Sequence, residues 1–191
     1  MSRDASFPRA NQFGGSCETP AGHEMMLMAE TRLLFVCLSN ICRSPLAEGA
    51  FRRLIDRHER IDDYVVASAG LGRWHSGAPA DARAVAAGRK RGIDISSHRA
   101  RHVVEHDFRE FDLILALDRQ NLAHLRAIAP AEQRHKMHLL LDYAPWLGFD
   151  SVADPAPRGG SAYDDAVAII ESGVDGLLAE IDQSRAALES S

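Results

Sequence analysis

Apolar and polar positions between residues 31 and 187 follow two rhythms, short solid apolar runs and longer stretches with an apolar side chain every third or fourth position. The solid runs are "TRLLFVC" (31–37), "DYVVASAG" (63–70), "FDLILALD" (111–118) and "KMHLLLDY" (136–143), each of strand length and mostly apolar on both faces. The first helical stretch, 44–59, puts Leu46, Ala50, Phe51, Leu54 and Ile55 near one face. Ser44 stands where a cap is expected, and Pro45 suits the first turn, where its missing N–H would have had no partner. A second stretch opens at Pro79, carries Ala82, Val85 and Ala86, and is stopped by Gly92. A third passes through Asn121, Leu122 and Leu125 and ends before Pro130. The longest, from Ala162 to Ala187, aligns Val167, Ile170, Val174, Leu177 and Ile181.

Strands that alternate with helices and are apolar on both faces predict an α/β fold, a small doubly wound sheet of four parallel strands with helices on both faces. Ligands in such sheets lie beyond the carboxyl ends of the strands, which is where Cys37 falls. Residues 1–30 are rich in Gly, Pro and Ser, have no sustained period and read as a flexible N-terminal leader before a domain at 31–191. Met25, Met26 and Met28 each offer an alternative start.

Composition narrows the function. With 191 residues, 46% hydrophobic and 26% charged, the chain suits one compact domain with a sizeable core. A net charge of -5 gives no general attraction to nucleic acid or anionic lipid. The sequence has no apolar run of spanning length and no secretory signal pattern, so a cytoplasmic protein without a membrane partner is expected. Its three cysteines, one of them Cys17 in the leader, make neither a disulfide scaffold nor a zinc site, and the nine histidines lack ligand spacing. No metal is predicted. The first strand-to-helix turn matches neither the dinucleotide fingerprint nor the Gly-x-x-x-x-Gly-Lys-Ser/Thr phosphate loop.

That turn is "CLSNICRS" (37–44), and its chemistry is specific. If Leu38, Ser39, Asn40, Ile41 and Cys42 curl around a tetrahedral anion, their backbone donors converge on its oxygens and the next helix points its positive end at the same place. Arg43 adds a planar fork that grips two oxygens. Cys37 at the base would be a nucleophile held as thiolate, with Ser44 returning toward the sulfur. The bland alternative, a helix cap with two small packed cysteines, leaves the spacing of cysteine, arginine and serine unexplained.

Cys-x-x-x-x-x-Arg-Ser resembles the signature of the low-molecular-weight protein tyrosine phosphatases, and further stretches agree: "SAG" and "WH" (68–75), "PADARAVAAGRKRGIDISSHRAR" (79–101), "FDLILALDRQN" (111–121) and "DP" (154–155). The resemblance implies that Cys37 is the nucleophile, Arg43 the transition-state clamp and Asp154 the general acid. It implies that Asn40 holds the loop open from a positive φ, that Ser68 is its hydrogen-bonding partner, and that Trp74 and Leu38 form a substrate rim. It implies hydrolysis of protein phosphotyrosine without a cofactor, and a tyrosine-phosphorylated protein as partner, with a cognate tyrosine kinase as a further candidate; the oligomeric state is left open by the sequence, a monomer being favoured. Asp142 and Asp150 compete with Asp154 for the acid role, and Asp118 reads as a helix cap or pocket wall. Cys42 is expected to be a redox partner of Cys37. Two departures stand out: Ser39 where many members have glycine, and Ala156 and Pro157 where an aromatic residue commonly follows Asp-Pro, with Tyr163 too far along to replace it. The rival readings are a thiol-dependent arsenate reductase, which generally needs further cysteines where none follows Cys42, and a non-catalytic phosphoprotein-binding module.

Overall fold

The computed structural model describes residues 30–190; the expected leader, with Cys17 and the three methionine starts, lies outside the described residues except for Glu30. Strands β1 (Thr31–Cys37), β2 (Tyr64–Gly70), β3 (Leu113–Ala116) and β4 (Met137–Leu139) form one parallel sheet in the order β2-β1-β3-β4. Around it lie α1 (Arg43–Arg57), α2 (Ala82–Arg89), α3 (Glu105–Glu110), α4 (Arg119–Ile128) and α5 (Ala162–Glu189).

Side chains alternate across a strand, so β1 feeds two cores. Leu33, Phe35 and Cys37 join Leu46 and Phe51 of α1, Ala84 of α2 and Val167, Ile170 and Leu177 of α5. Leu34 and Val36 join Phe108 of α3 and Leu125 of α4 on the opposite face. Fully buried Phe51 packs between the rings of Phe35 and Tyr64, with centroids 6.1 and 5.3 Å away; its truncation to alanine would cost about 3–5 kcal/mol. The chain passes from β1 to β2 on one side and returns to β3 on the other. The carboxyl ends of β1 and β3 therefore flank the switch point, and Cys37 ends β1 there.

Two local expectations are corrected, and one helix is added. β4 stops at Leu139, and Leu140–Tyr143 is a 3-10 turn in which Asp142 accepts the Leu139 N–H at 3.0 Å. Leu140 and Leu141 stay apolar because they are buried in the core shared with α5, not because they continue a strand. The short helix α3, unread in the sequence, is closed by Asp107, which accepts the Val104 N–H at 2.8 Å and pairs with Arg101 at 2.9 Å. Ser44 does not cap α1: Cys42 holds the cap position without a side-chain bond, and the Ser44 hydroxyl is drawn inward instead. α5 lies close over the 3-10 turn at Gly176, where a Cβ would overlap the Tyr143 carbonyl oxygen.

Candidate active site

The loop after β1 is shaped by what holds its carbonyl groups. The Cys37 oxygen accepts from Leu71 N–H (3.0 Å), Leu38 from Gly72 N–H (2.8 Å), Ile41 from Asp81 N–H (2.8 Å) and Cys42 from Leu46 N–H (3.1 Å). The Asn40 oxygen lies 2.8 Å from His98 Nε2; a carbonyl only accepts, so that nitrogen carries the proton. Among the described residues all peptide bonds are trans, so each N–H points away from the carbonyl of its own peptide unit. Carbonyls tied to the surrounding protein thus turn the amides of residues 38, 39, 41, 42 and 43 to the other side of the loop, beside the N-terminus of α1. The result is a nest for an anion. The glycine of "SAG" matters here: a Cβ on Gly70 would stand 3.0 Å from the Ser39 backbone and 3.1 Å from that of Asn40.

Asn40 takes φ +55°, a left-handed conformation that asparagine tolerates, and both polar atoms of its fully buried side chain are hydrogen-bonded. Its Nδ2 donates to Ser68 Oγ (2.9 Å) and Ser44 Oγ (3.0 Å), and its Oδ1 accepts the Arg101 N–H (2.8 Å). Ser68 in turn donates to Glu48 Oε2 at 2.7 Å. The chain ends at the sulfur, where Ser44 Oγ lies 3.0 Å from Cys37 Sγ and the Asn40 N–H donates to the same sulfur at 3.3 Å. Ser44 has one proton and two outlets, the sulfur or the Ala69 carbonyl at 3.3 Å. An anionic sulfur takes that proton as a hydrogen bond; a thiol donates to Oγ and sends the serine proton to Ala69.

Arg43 is buried yet lines an open cavity of about 500 Å³ together with Leu38, Asp118, Val152 and Asp154. Its Nη1 donates to Asp118 Oδ2 (2.6 Å) and to the Val152 carbonyl (2.8 Å), while Nη2 stands 3.9 Å from Asp154 Oδ2. Burial alone would weaken its charge, but the Cys37 sulfur, Asp118 and Asp154 outweigh burial and push its pKa up. The guanidinium is therefore a fixed cation held by one edge. Asp118 does both things suggested for it, since its Oδ1 also caps α4 by accepting the Asn121 N–H at 2.7 Å.

The other carboxylates are occupied elsewhere: Asp142 closes the 3-10 turn, and Asp150 pairs with Arg119 and accepts from Ser151 at 2.9 Å. Asp154 is exposed, and its Oδ1 accepts the Ala156 N–H at 3.1 Å. Leu38 reaches the cavity, 41% exposed. Trp74 does not line it; the indole is 66% exposed and lies over Gly72, whose N–H holds the Leu38 carbonyl. Ala156 and Pro157 are exposed and bring no ring to the site. Cys37 and Cys42 are both free and buried; burial first, then the neighbouring Cys37 and Asp154, pushes the Cys42 thiol far up. Sequence reasoning missed Glu48, His98, the Arg101 amide and Asp81 as supports of the loop. Among the described residues no group of three His, Cys, Asp or Glu side chains is placed to hold a metal ion, and no helix is long and apolar enough to cross a membrane.

The family model for low molecular weight phosphotyrosine protein phosphatase matches residues 32–187. The low molecular weight protein-tyrosine-phosphatase YfkJ of Bacillus subtilis is 36% identical over 153 residues, covering 80% of this chain and 97% of that protein. The low molecular weight phosphotyrosine protein phosphatase of Sus scrofa is 41% identical over 115 residues, 59% of this chain and 72% of its own. Among solved structures, a protein tyrosine phosphatase from Entamoeba histolytica superimposes with a TM-score of 0.78 at 32% identity, covering 81% of this chain and 99% of that one.

Proposed function

Because the chain belongs to the low-molecular-weight phosphotyrosine protein phosphatase family, we propose that it hydrolyses phosphotyrosine in proteins, and simple aryl phosphates, through a cysteinyl-phosphate intermediate. The observation that carries this reading is that Arg43 and Asp154 line one cavity 3.9 Å apart, while the loop leading into Arg43 begins at Cys37, whose sulfur accepts the Asn40 N–H at 3.3 Å and lies 3.0 Å from the Ser44 hydroxyl.

In the first step the Cys37 thiolate attacks phosphorus in line, forming the S–P bond as the P–O bond to the phenol breaks. The loop amides and the free edge of Arg43 hold the equatorial oxygens, and Asp154 gives its proton to the departing oxygen. In the second step Asp154, now ionised, takes a proton from the attacking water, and the S–P bond breaks to release inorganic phosphate. The Ser44 hydroxyl steadies the sulfur as its negative charge returns. Leu38 offers apolar surface at the cavity mouth. The missing aromatic residue after Pro155 leaves the substrate ring less to stack on.

The reading extends to a catalytic domain spanning 31–191, a monomeric cytoplasmic enzyme, a tyrosine-phosphorylated protein as partner with a cognate kinase among the candidates, and Cys42 as the thiol that traps oxidised Cys37. Phosphate release from phenyl phosphate by the wild-type, Cys37→Ser and Asp154→Ala proteins tests it. A trapped cysteinyl phosphate in the wild type, no turnover by Cys37→Ser and no thiol consumption are expected. Normal turnover by Cys37→Ser would overturn the assignment.

A further inference from the structure

The segment that carries Asp154 depends on its two ends. Residues 155–162 hydrogen-bond among themselves, Arg158 and Gly159 N–H to the Pro155 carbonyl and Ala162 N–H to that of Gly159. Gly159 and Gly160 take φ of +62° and +53°, and the two residues directly after Pro155, Ala156 and Pro157, bring no ring to pin the turn. Its upstream end is fixed at Val152, whose N–H donates to the Leu117 carbonyl at 2.8 Å while its own carbonyl accepts from Arg43.

The downstream end is fixed at Tyr163, in the first turn of α5. Its ring is buried, 2% exposed, with the Arg83 guanidinium 4.8 Å from the ring centroid, and its hydroxyl donates to Asp81 Oδ2 at 3.0 Å. Asp81 caps α2 by accepting the Arg83 N–H on Oδ1 at 2.8 Å. The same residue's N–H holds the Ile41 carbonyl outward. One aspartate therefore grips the wall of the phosphate cup with its backbone and the far end of the acid loop with its side chain.

We propose that Tyr163 and Asp81 are a positioning pair that sets the reach of Asp154 toward the cup, so that protonation of the leaving oxygen depends on the Tyr163 hydroxyl. Neither residue touches substrate; both act through Asp154, and the inference rests on the function proposed above. Burial, with the Asp81 carboxylate, pushes the Tyr163 pKa far up, so the hydroxyl remains a donor throughout the working range.

Tyr163→Phe removes one oxygen and keeps the ring, its packing and its contact with Arg83. The readout is kcat/KM across aryl phosphates whose leaving phenols differ in basicity, since only proton delivery couples the loss to the leaving group. The loss should be about tenfold for phenyl phosphate and about twofold or less for p-nitrophenyl phosphate, whose leaving oxygen needs the acid least. Inhibition by inorganic phosphate should stay within about twofold, because the cup is intact. In an Asp154→Ala background the Tyr163→Phe loss should vanish. Asp81→Asn should show the same slope more weakly, because the carboxylate oxygen that Tyr163 shares with the Arg83 guanidinium becomes an NH2 that loses the ion pair but can still donate to the phenol oxygen. A loss uniform across the series, a loss that persists without Asp154, or no loss in either variant overturns the proposal. Those outcomes are distinct from a wild type indifferent to Cys37 and Asp154, which would instead defeat the phosphatase reading.

Discussion

Replacing Asn40 by alanine tests whether the cup is held by a side chain or by the loop backbone alone. The change deletes the bonds from Nδ2 to Ser44 and Ser68 and the bond from the Arg101 N–H to Oδ1, at about 1 kcal/mol each for buried neutral pairs. It also places an alanine at φ +55°, which adds about 1–2 kcal/mol. The expected loss is about 4–5 kcal/mol, a large share of the 5–15 kcal/mol typical of a domain. Asn40→Gly removes the backbone penalty but adds unfolded-chain entropy, so it should fall within about 1 kcal/mol of the alanine variant. Urea unfolding followed by tryptophan fluorescence measures both, with the shift in midpoint read at unchanged slope. Inhibition by inorganic phosphate should weaken in parallel, since Ser44 loses its orienting donor. An alanine variant that loses less than about 1.5 kcal/mol and binds phosphate normally would refute the idea that Asn40 maintains the cup.

Other outcomes follow from particular contacts. The Arg60 hydrogen bond holds the Asp63 carboxyl below the usual carboxylate range, as the Arg83 hydrogen bond does for Asp81. Their stabilisation is therefore present above about pH 4 and lost as pH falls through their lower folded values. The melting temperature should drop on acidification, and Asp63→Asn should flatten that drop; an unchanged acid limb would contradict the assignment. Gly176→Ala forces a methyl against the Tyr143 carbonyl and should cost about 1–3 kcal/mol or more by the same urea assay. Mild peroxide should convert Cys37 to its sulfenic acid, and attack by Cys42 sulfur with loss of water should give a disulfide that a thiol reductant opens. Reductant should restore wild-type activity but not that of Cys42→Ser; equal recovery in both would remove Cys42 from this role.

Local chemistry was legible in the sequence and long-range pairing was not. The run into Cys37, the arginine and serine that follow, and "SAG" place the loop at a strand end because strand and helix periods change over within a few residues. The helix α3 escaped because "EHDFRE" offers one apolar anchor, Phe108, and its closure is by Asp107. β4 was read too long because an apolar run cannot distinguish a buried strand from a buried 3-10 turn. The sequence offers Ser44 both as a cap and as a partner of the sulfur, and the fold keeps only the second, because the Asn40 amide and the sulfur draw the hydroxyl inward. Asp118 is separated from Arg43 by 75 positions and Tyr163 from Asp81 by 82, so only the folded chain shows that these pairs meet.

The outward-tied carbonyls have a consequence for inhibitor recognition. A receptor whose lining is ordered before its guest arrives undergoes little conformational ordering on capture, so tetrahedral or trigonal-bipyramidal oxyanions such as vanadate should be ranked by shape and charge. Their complexes should leave the heat capacity and exchange behaviour of the surrounding backbone close to those of the empty protein.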